Sequence, residues 1–341
     1  MPNLTVRLPY DLYKRIKERR DVNWAEVVRR AIVSYLDQPL ISDKLDEYIW
    51  NMVKNGEWEK LKYLYLKAEL LAEKYGWSYA KRNLEILYPG KADEISSKVD
   101  NELVRLGINP RLSGYGPNNK TISEVVKDYM IMHGVYEHFE EECREKLSSA
   151  NWKVREAAMI LSQYESANIP LNGYSRTLKI YFGSDDSYVQ DIINELVKIG
   201  IVYRDYYDSR AYSYPFLRIP EYALDILKEL EREIYINPSY YQTEEFISFL
   251  RWMKGSTKYI VEYEEEEIIK EELLKEKINI DFKKFLEIRD KLIREKILII
   301  DYSPHRRRAG RRSSYPAEWI YKITPVAKNN IIDYLLRKCL S

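Results

Sequence analysis

Six residues near the start of the chain constrain its fold more than any others. Asn3, Leu4, Thr5, Val6, Arg7 and Leu8 alternate strictly, with Leu4, Val6 and Leu8 on one face and Asn3, Thr5 and Arg7 on the other. Pro9 ends the strand and suits the first turn of a helix, in which Leu12 and Ile16 repeat at i, i+4. Asn23 then N-caps a second helix, with Glu26 three residues on and a broad apolar face of Val27, Val28, Ala31, Ile32, Tyr35 and Leu36 before Pro39. A single short strand leaves its backbone N–H and C=O groups unpaired and its apolar face uncovered. The segment therefore needs a second copy of itself.

The run VRLPYDLYKRI, a short turn and WAEVVRRAIVSYL resemble the ribbon-helix-helix family of repressors (CopG, Arc and MetJ-like) across residues 1–38. The resemblance implies a homodimer joined by a two-stranded antiparallel ribbon lying in the major groove of double-stranded DNA. Asn3, Thr5 and Arg7 would then face the base edges. Arg is suited to guanine O6 and N7, Asn to adenine, and Thr offers a hydroxyl and a methyl. The second helix would present its first amides, at Asn23 and Trp24, to a phosphate. Local charge agrees: Arg7, Lys14, Arg15, Lys17, Arg19, Arg20, Arg29 and Arg30 outnumber Asp11, Glu18, Asp21 and Glu26. Without DNA contact, the same module would serve only to dimerise.

The remaining length, within 341 residues of 45% apolar content, is enough for two or three further cores. Residues 39–60 carry Asp, Pro and Gly among polar stretches and read as a linker. Three segments starting at Asn101, Asn194 and Arg289 (NELVRLGINPRL, NELVKIGIVYRD, RDKLIREKILIIDY) share a helix, a tight turn and a β-like run. The second and third continue into a strand, a proline and a closing helix, at LRIPEYALDIL from Leu217 and YKITPVAKNNII from Tyr321. This closure resembles winged-helix domains. The expected fold is mainly α with small β elements: the dimerising ribbon module, then tandem winged-helix-like domains at residues 155–235 and 240–341. Residues 61–154 form a helical domain that is either a degenerate winged helix or a spacer.

Winged helices usually place their third helix in the major groove and their wing on neighbouring phosphates. Here those helices span residues 187–199 and 281–296. The last wing, SPHRRRAGRRSSYP, holds Arg306, Arg307, Arg308, Arg311 and Arg312 with no acid, and is expected to contact phosphates or a minor groove. The other wing, YRDYYDSRAYSYP, is tyrosine-rich and nearly neutral, which suits a protein partner at least as well as DNA. Unpaired-strand recognition normally needs a basic groove as well, and this wing lacks one.

The whole chain balances 55 basic against 54 acidic side chains, so a nucleic-acid surface must be local. GYGPNNKT from Gly114 to Thr121 approaches a phosphate-binding loop but has Asn119 where the last glycine belongs, and reads as a turn. Glu262 and Glu264–Glu267 read as a solvated helix face. His133, His138 and His305 are too scattered for a metal site, and Cys143 and Cys339 offer no disulfide framework. No catalytic motif occurs, so no enzyme and no cofactor are expected. The absence of a long apolar run or a signal-peptide pattern points to a cytoplasmic, nucleoid-associated protein without a membrane partner. Abundant Tyr, Lys and Glu beside two Cys resemble a thermophile's composition. The reading is a sequence-specific transcription regulator. The alternatives are a centromere-binding adaptor of a plasmid or chromosome segregation system, and a dimeric interaction scaffold.

Overall fold

The computed structural model describes residues 41–70, 76–112, 120–208, 213–237, 249, 261–263, 281–303 and 318–332. The expected ribbon module at 1–38 lies outside them. Among the described residues seven helices come first: α1 (Ile41–Lys54), α2 (Trp58–Glu69), α3 (Gly76–Leu87), α4 (Ala92–Arg105), α5 (Ile122–Met132), α6 (Val135–Ser148) and α7 (Trp152–Leu161). α1 lies inside the stretch expected to be a linker. Its Leu45, Ile49 and Met52, spaced at i, i+4 and i+7, are buried in the core, so this part of the chain is packed structure. α2 is buried nearly all round from Leu61 to Leu66 and packs against α1, α3, α4 and α5. The body is built around it.

Local chemistry explains where these helices begin and end. Thr121 and Glu124 form a reciprocal capping box at the start of α5, with Glu124 N donating to Thr121 Oγ1 at 3.2 Å and Thr121 N to Glu124 Oε2 at 2.6 Å. After α4 the chain turns at Gly107 (φ 80°), and Leu112 also has positive φ (53°). Residues 106–112 form no strand, contrary to the β-like run expected of the first repeat.

Two units with the same strand order follow. The first comprises β1 (Asn168–Pro170), α8 (Leu171–Phe182), α9 (Asp186–Ile199), β2 (Tyr203–Asp208), β3 (Ser213–Arg218) and α10 (Leu224–Arg232). Its sheet runs β1-β3-β2, antiparallel throughout, with Tyr203 opposite Arg218 and Asn168 on the other side of Arg218. Pro170 sits on the outer edge strand, where its missing N–H is tolerated. In the second unit, β4 (Val261–Tyr263), α11 (Phe282–Arg294), β5 (Leu298–Ser303) and β6 (Glu318–Ile323) give the order β4-β6-β5. Glu262 thus lies in a strand, in which Val261, Glu262 and Tyr263 pair with Ile320, Trp319 and Glu318 of β6. The expectation of a helix there fails at these residues.

The units repeat in detail at an offset of 96 residues. Asp185 and Asp281 each N-cap a helix by accepting from a backbone amide, Tyr188 N at 2.9 Å and Lys284 N at 2.7 Å. Gly200 and Lys296 both take the left-handed conformation that ends it (φ 92° and 59°). Ile201 N and Ile297 N then bond back to Leu196 O and Leu292 O. One apolar cluster spans the helical body, the first unit and Ile299; another, from Ile236 to Ile331, fills the second unit. Glu69, almost fully buried, ties body to sheet by accepting from Arg218 Nε at 2.7 Å and Lys127 Nζ at 3.1 Å.

Candidate nucleic-acid interface

Asn3, Thr5, Arg7, Asn23 and Trp24 lie outside the described residues, as do Arg306, Arg307, Arg308, Arg311 and Arg312. The arginine-rich segment connects β5 to β6, whose ends pair at Ser303 and Glu318. The two helices expected at 187–199 and 281–296 are α9 and α11. Their surroundings differ sharply.

α9 buries Val189, Ile192, Ile193, Leu196, Val197 and Ile199, and turns Asp186, Ser187, Asp191, Glu195 and Lys198 to solvent. Three carboxylates against one amine would repel phosphates. Its flank is also occupied, since α3 packs on both α9 and β2. The buried Asn83 of α3 acts as a strand partner for Arg204, accepting from its backbone N at 2.9 Å and donating to its O at 2.7 Å. The Arg204 guanidinium, in turn, donates to Gln190 and Asn194 on α9 at 2.9 and 3.0 Å. The expectation that this helix reads a major groove is corrected on these grounds. Sequence periodicity located the helix but could not show that α3 packs on its flank.

α11 presents the opposite charge. Phe285, Ile288, Leu292 and Ile293 face the core, and Lys283, Lys284, Glu287, Lys291 and Arg294 face solvent. At 100° per residue these five fall within about 100° of the helix surface, along roughly 16 Å of its length. Glu287, near Lys284 at 4.0 Å, is the single acid in the stripe. Arg289 is buried and structural, donating to Tyr321 OH of β6 at 3.1 Å and to Asp290 at 2.8 Å. The stripe of α11 precedes β5, and hence the arginine-rich connection, in the same unit.

The other sequence candidates that lie among the described residues have structural roles. His133 contacts Asp46 at 2.6 Å and stacks on Trp50, and His138 stacks on Trp58 at 3.6 Å. His305 and residues 113–119 of the phosphate-loop-like stretch lie outside the described residues, and Thr121 is occupied by its capping box. Cys143 is buried, which pushes its thiol up to about 12. Among the described residues no group of acidic, His and Cys side chains could hold a metal ion, and no helix is long and apolar enough to cross a membrane.

Comparison with known proteins adds one match. Residues 4–59 match the model of a family described as RHH_12-like ribbon-helix-helix proteins, which supports the ribbon-helix-helix reading of the N-terminus. Families of this class generally bind DNA and dimerise. The match extends past residue 38 to include α1 and reaches the start of α2. No curated protein and no solved structure matches the chain.

Proposed function

We propose that the chain is a non-enzymatic, sequence-specific double-stranded DNA-binding protein acting as a dimeric transcription regulator. The observation that carries this reading is the family match over residues 4–59. In it, a ribbon from each of two chains enters the major groove, with Asn3, Thr5 and Arg7 on base edges and the helix start at Asn23 and Trp24 on a phosphate. The units at 155–235 and 240–341 are winged-helix-like. Their common order of first, third and second strand, with a helix leading into each hairpin, supports that reading. Of the two matching helices, α9 and α11, it is α11 whose outward face is basic, so the body's DNA contacts are assigned to α11 and to Arg306, Arg307, Arg308, Arg311 and Arg312. The first unit, flanked by α3 and acidic on the outward face of α9, serves protein contacts.

One binding experiment with two variants of the full chain tests this. Arg7→Ala is expected to cost about 1–3 kcal/mol of discrimination between the preferred duplex and a scrambled one. Changing Lys283, Lys284 and Lys291 together to Ala should weaken all duplexes alike and lower the salt slope by about 0.9 for each phosphate that is no longer neutralised. If sequence preference survives Arg7→Ala undiminished, the ribbon does not read bases. An unchanged salt slope in the lysine variant removes α11 from the DNA surface.

A further inference from the structure

A groove of about 480 Å³ lies where the start of α7, the end of α8 and the start of α9 meet the last turn of α11. Its aromatic wall is Trp152, Tyr181, Phe182 and Tyr188. The Trp152 and Phe182 ring centroids are 6.4 Å apart at 66°, and those of Phe182 and Tyr188 are 6.2 Å apart at 80°. Trp152 is 62% exposed at the first position of its helix, an unfavourable place for so large an apolar surface. Lys153 and Arg294 border the rings, with Lys153 Nζ 4.7 Å from the Tyr188 centroid and 5.7 Å from the Trp152 centroid.

Charge identifies what the groove would hold. The neighbouring cations are committed, Lys179 to Asp186 and Lys296 to Glu156. Lys153 and Arg294, by contrast, make no ion pair among the described residues. Ser184 Oγ, also in the lining, is buried without a hydrogen-bond partner. Planar rings, two cations without an ion pair and an unused hydroxyl fit a planar ligand that carries an anion and a polar edge. A nucleotide has these three properties, and the volume lies in the range of about 300–1,000 Å³ that such ligands occupy. Arg294 is moreover the last residue of the α11 stripe, so the cations that would follow a phosphate backbone lead into the aromatic wall.

We infer that this groove is a stacking site for an unpaired nucleotide of single-stranded nucleic acid, whose backbone runs along α11. Trp152 stacks the base, Lys153 and Arg294 take its phosphates, and Ser184 bonds its edge. The inference rests on the reading of α11 as a nucleic-acid face. It also supplies the union of aromatic rings and basic groove that the tyrosine-rich wing lacks.

The test measures binding of fluorescent oligo-dT and of a random duplex to the full chain by anisotropy. Trp152→Ala, at an exposed position, should weaken oligo-dT binding about 5- to 150-fold and leave duplex affinity within about twofold. Trp152→Phe should restore most of the oligo-dT binding. Failure of the full chain to bind oligo-dT, or equal oligo-dT affinity in Trp152→Ala, overturns the inference, as does a parallel loss on both nucleic acids. The variant lacking Lys283, Lys284 and Lys291 separates the two proposals. If it binds duplex normally while Trp152→Ala still loses oligo-dT, the groove stands and the reading of α11 as a duplex surface fails.

Discussion

Lys62 shows how much a single side chain can impose on this fold. It is only 3% exposed, with its ammonium 3.4 Å from the Phe139 ring centroid, 5.2 Å from that of Tyr222 and 3.5 Å from Glu142 Oε2. Burial outweighs the attraction of Glu142 and pushes its pKa down from 10.5 to about 8. Below pH 8 both folded and unfolded chains hold the proton. Between about 8 and 10.5 only the unfolded chain does, so this group adds stability as the pH rises through that window. Neighbouring groups act in the opposite sense at higher pH. Burial raises Cys143 from 9.0 to about 12, and Tyr203 and Tyr222 well above their usual 10.0, so folding opposes their ionisation and their own contribution to stability falls as the pH rises past those ordinary values. Comparison with Lys62→Met isolates the lysine. In urea unfolding at pH 7 and pH 9, the wild type should gain on the variant by an amount on the order of 1 kcal/mol as the pH rises. A difference that does not change with pH would show that Lys62 has an ordinary pKa.

Paired elements allow a cleaner comparison, because α9 and α11 share their caps but not their surfaces. Asp185 and Asp281 each satisfy one free amide of the first turn, so Asp→Ala at either site should cost about 1 kcal/mol in denaturant unfolding. Asp→Asn, which keeps the acceptor, should recover most of that loss. If Asn proves as costly as Ala, the charge and not the hydrogen bond is what matters. Both helices were legible in the sequence to within two residues, since Val189, Ile192, Ile193, Leu196 and Val197 mark one apolar stripe and Gly200 marks its stop. α1 was legible in principle through Leu45, Ile49 and Met52, but Pro39 and the surrounding polar residues favoured a linker. β1 has three residues and a proline, too few to show alternation, and β4 is embedded in acids that read as a solvated helix. The packing of α3 on the flank of α9 could not be read at all. It depends on Asn83 meeting Arg204, 121 residues away, and local periodicity carries no trace of such a contact. The groove at Trp152 is hidden for the same reason, since three helices supply its aromatic wall and a fourth its arginine.

At the scale of the whole molecule, α8 decides how the two units sit together. Among the described residues β5 is an edge strand, and α8 with the segment before it covers that edge: Tyr164 OH donates to Ile300 O at 2.8 Å, and Ile300 N donates to Thr177 Oγ1 at 2.9 Å. The approach is possible because residue 173 is glycine. A Cβ there would lie 2.7 Å from Ile300 O and 2.9 and 3.0 Å from backbone atoms of Asp301, none of which can rotate aside. Gly173→Ala must therefore push β5 off α8, at a cost of about 1–3 kcal/mol by the usual scale of overpacking. Hydrogen exchange should show the Ile300 amide losing protection, while the Leu196 to Ile201 turn inside the first unit keeps its own. Unfolding at the wild-type midpoint with Ile300 still protected would mean that the junction does not couple the units. The same displacement carries a functional consequence, because Trp152 and Phe182 belong to one side of this junction and Arg294 to the other. Oligo-dT binding should accordingly weaken in Gly173→Ala although no residue of the groove has changed. An undiminished affinity would place the binding site entirely within one unit.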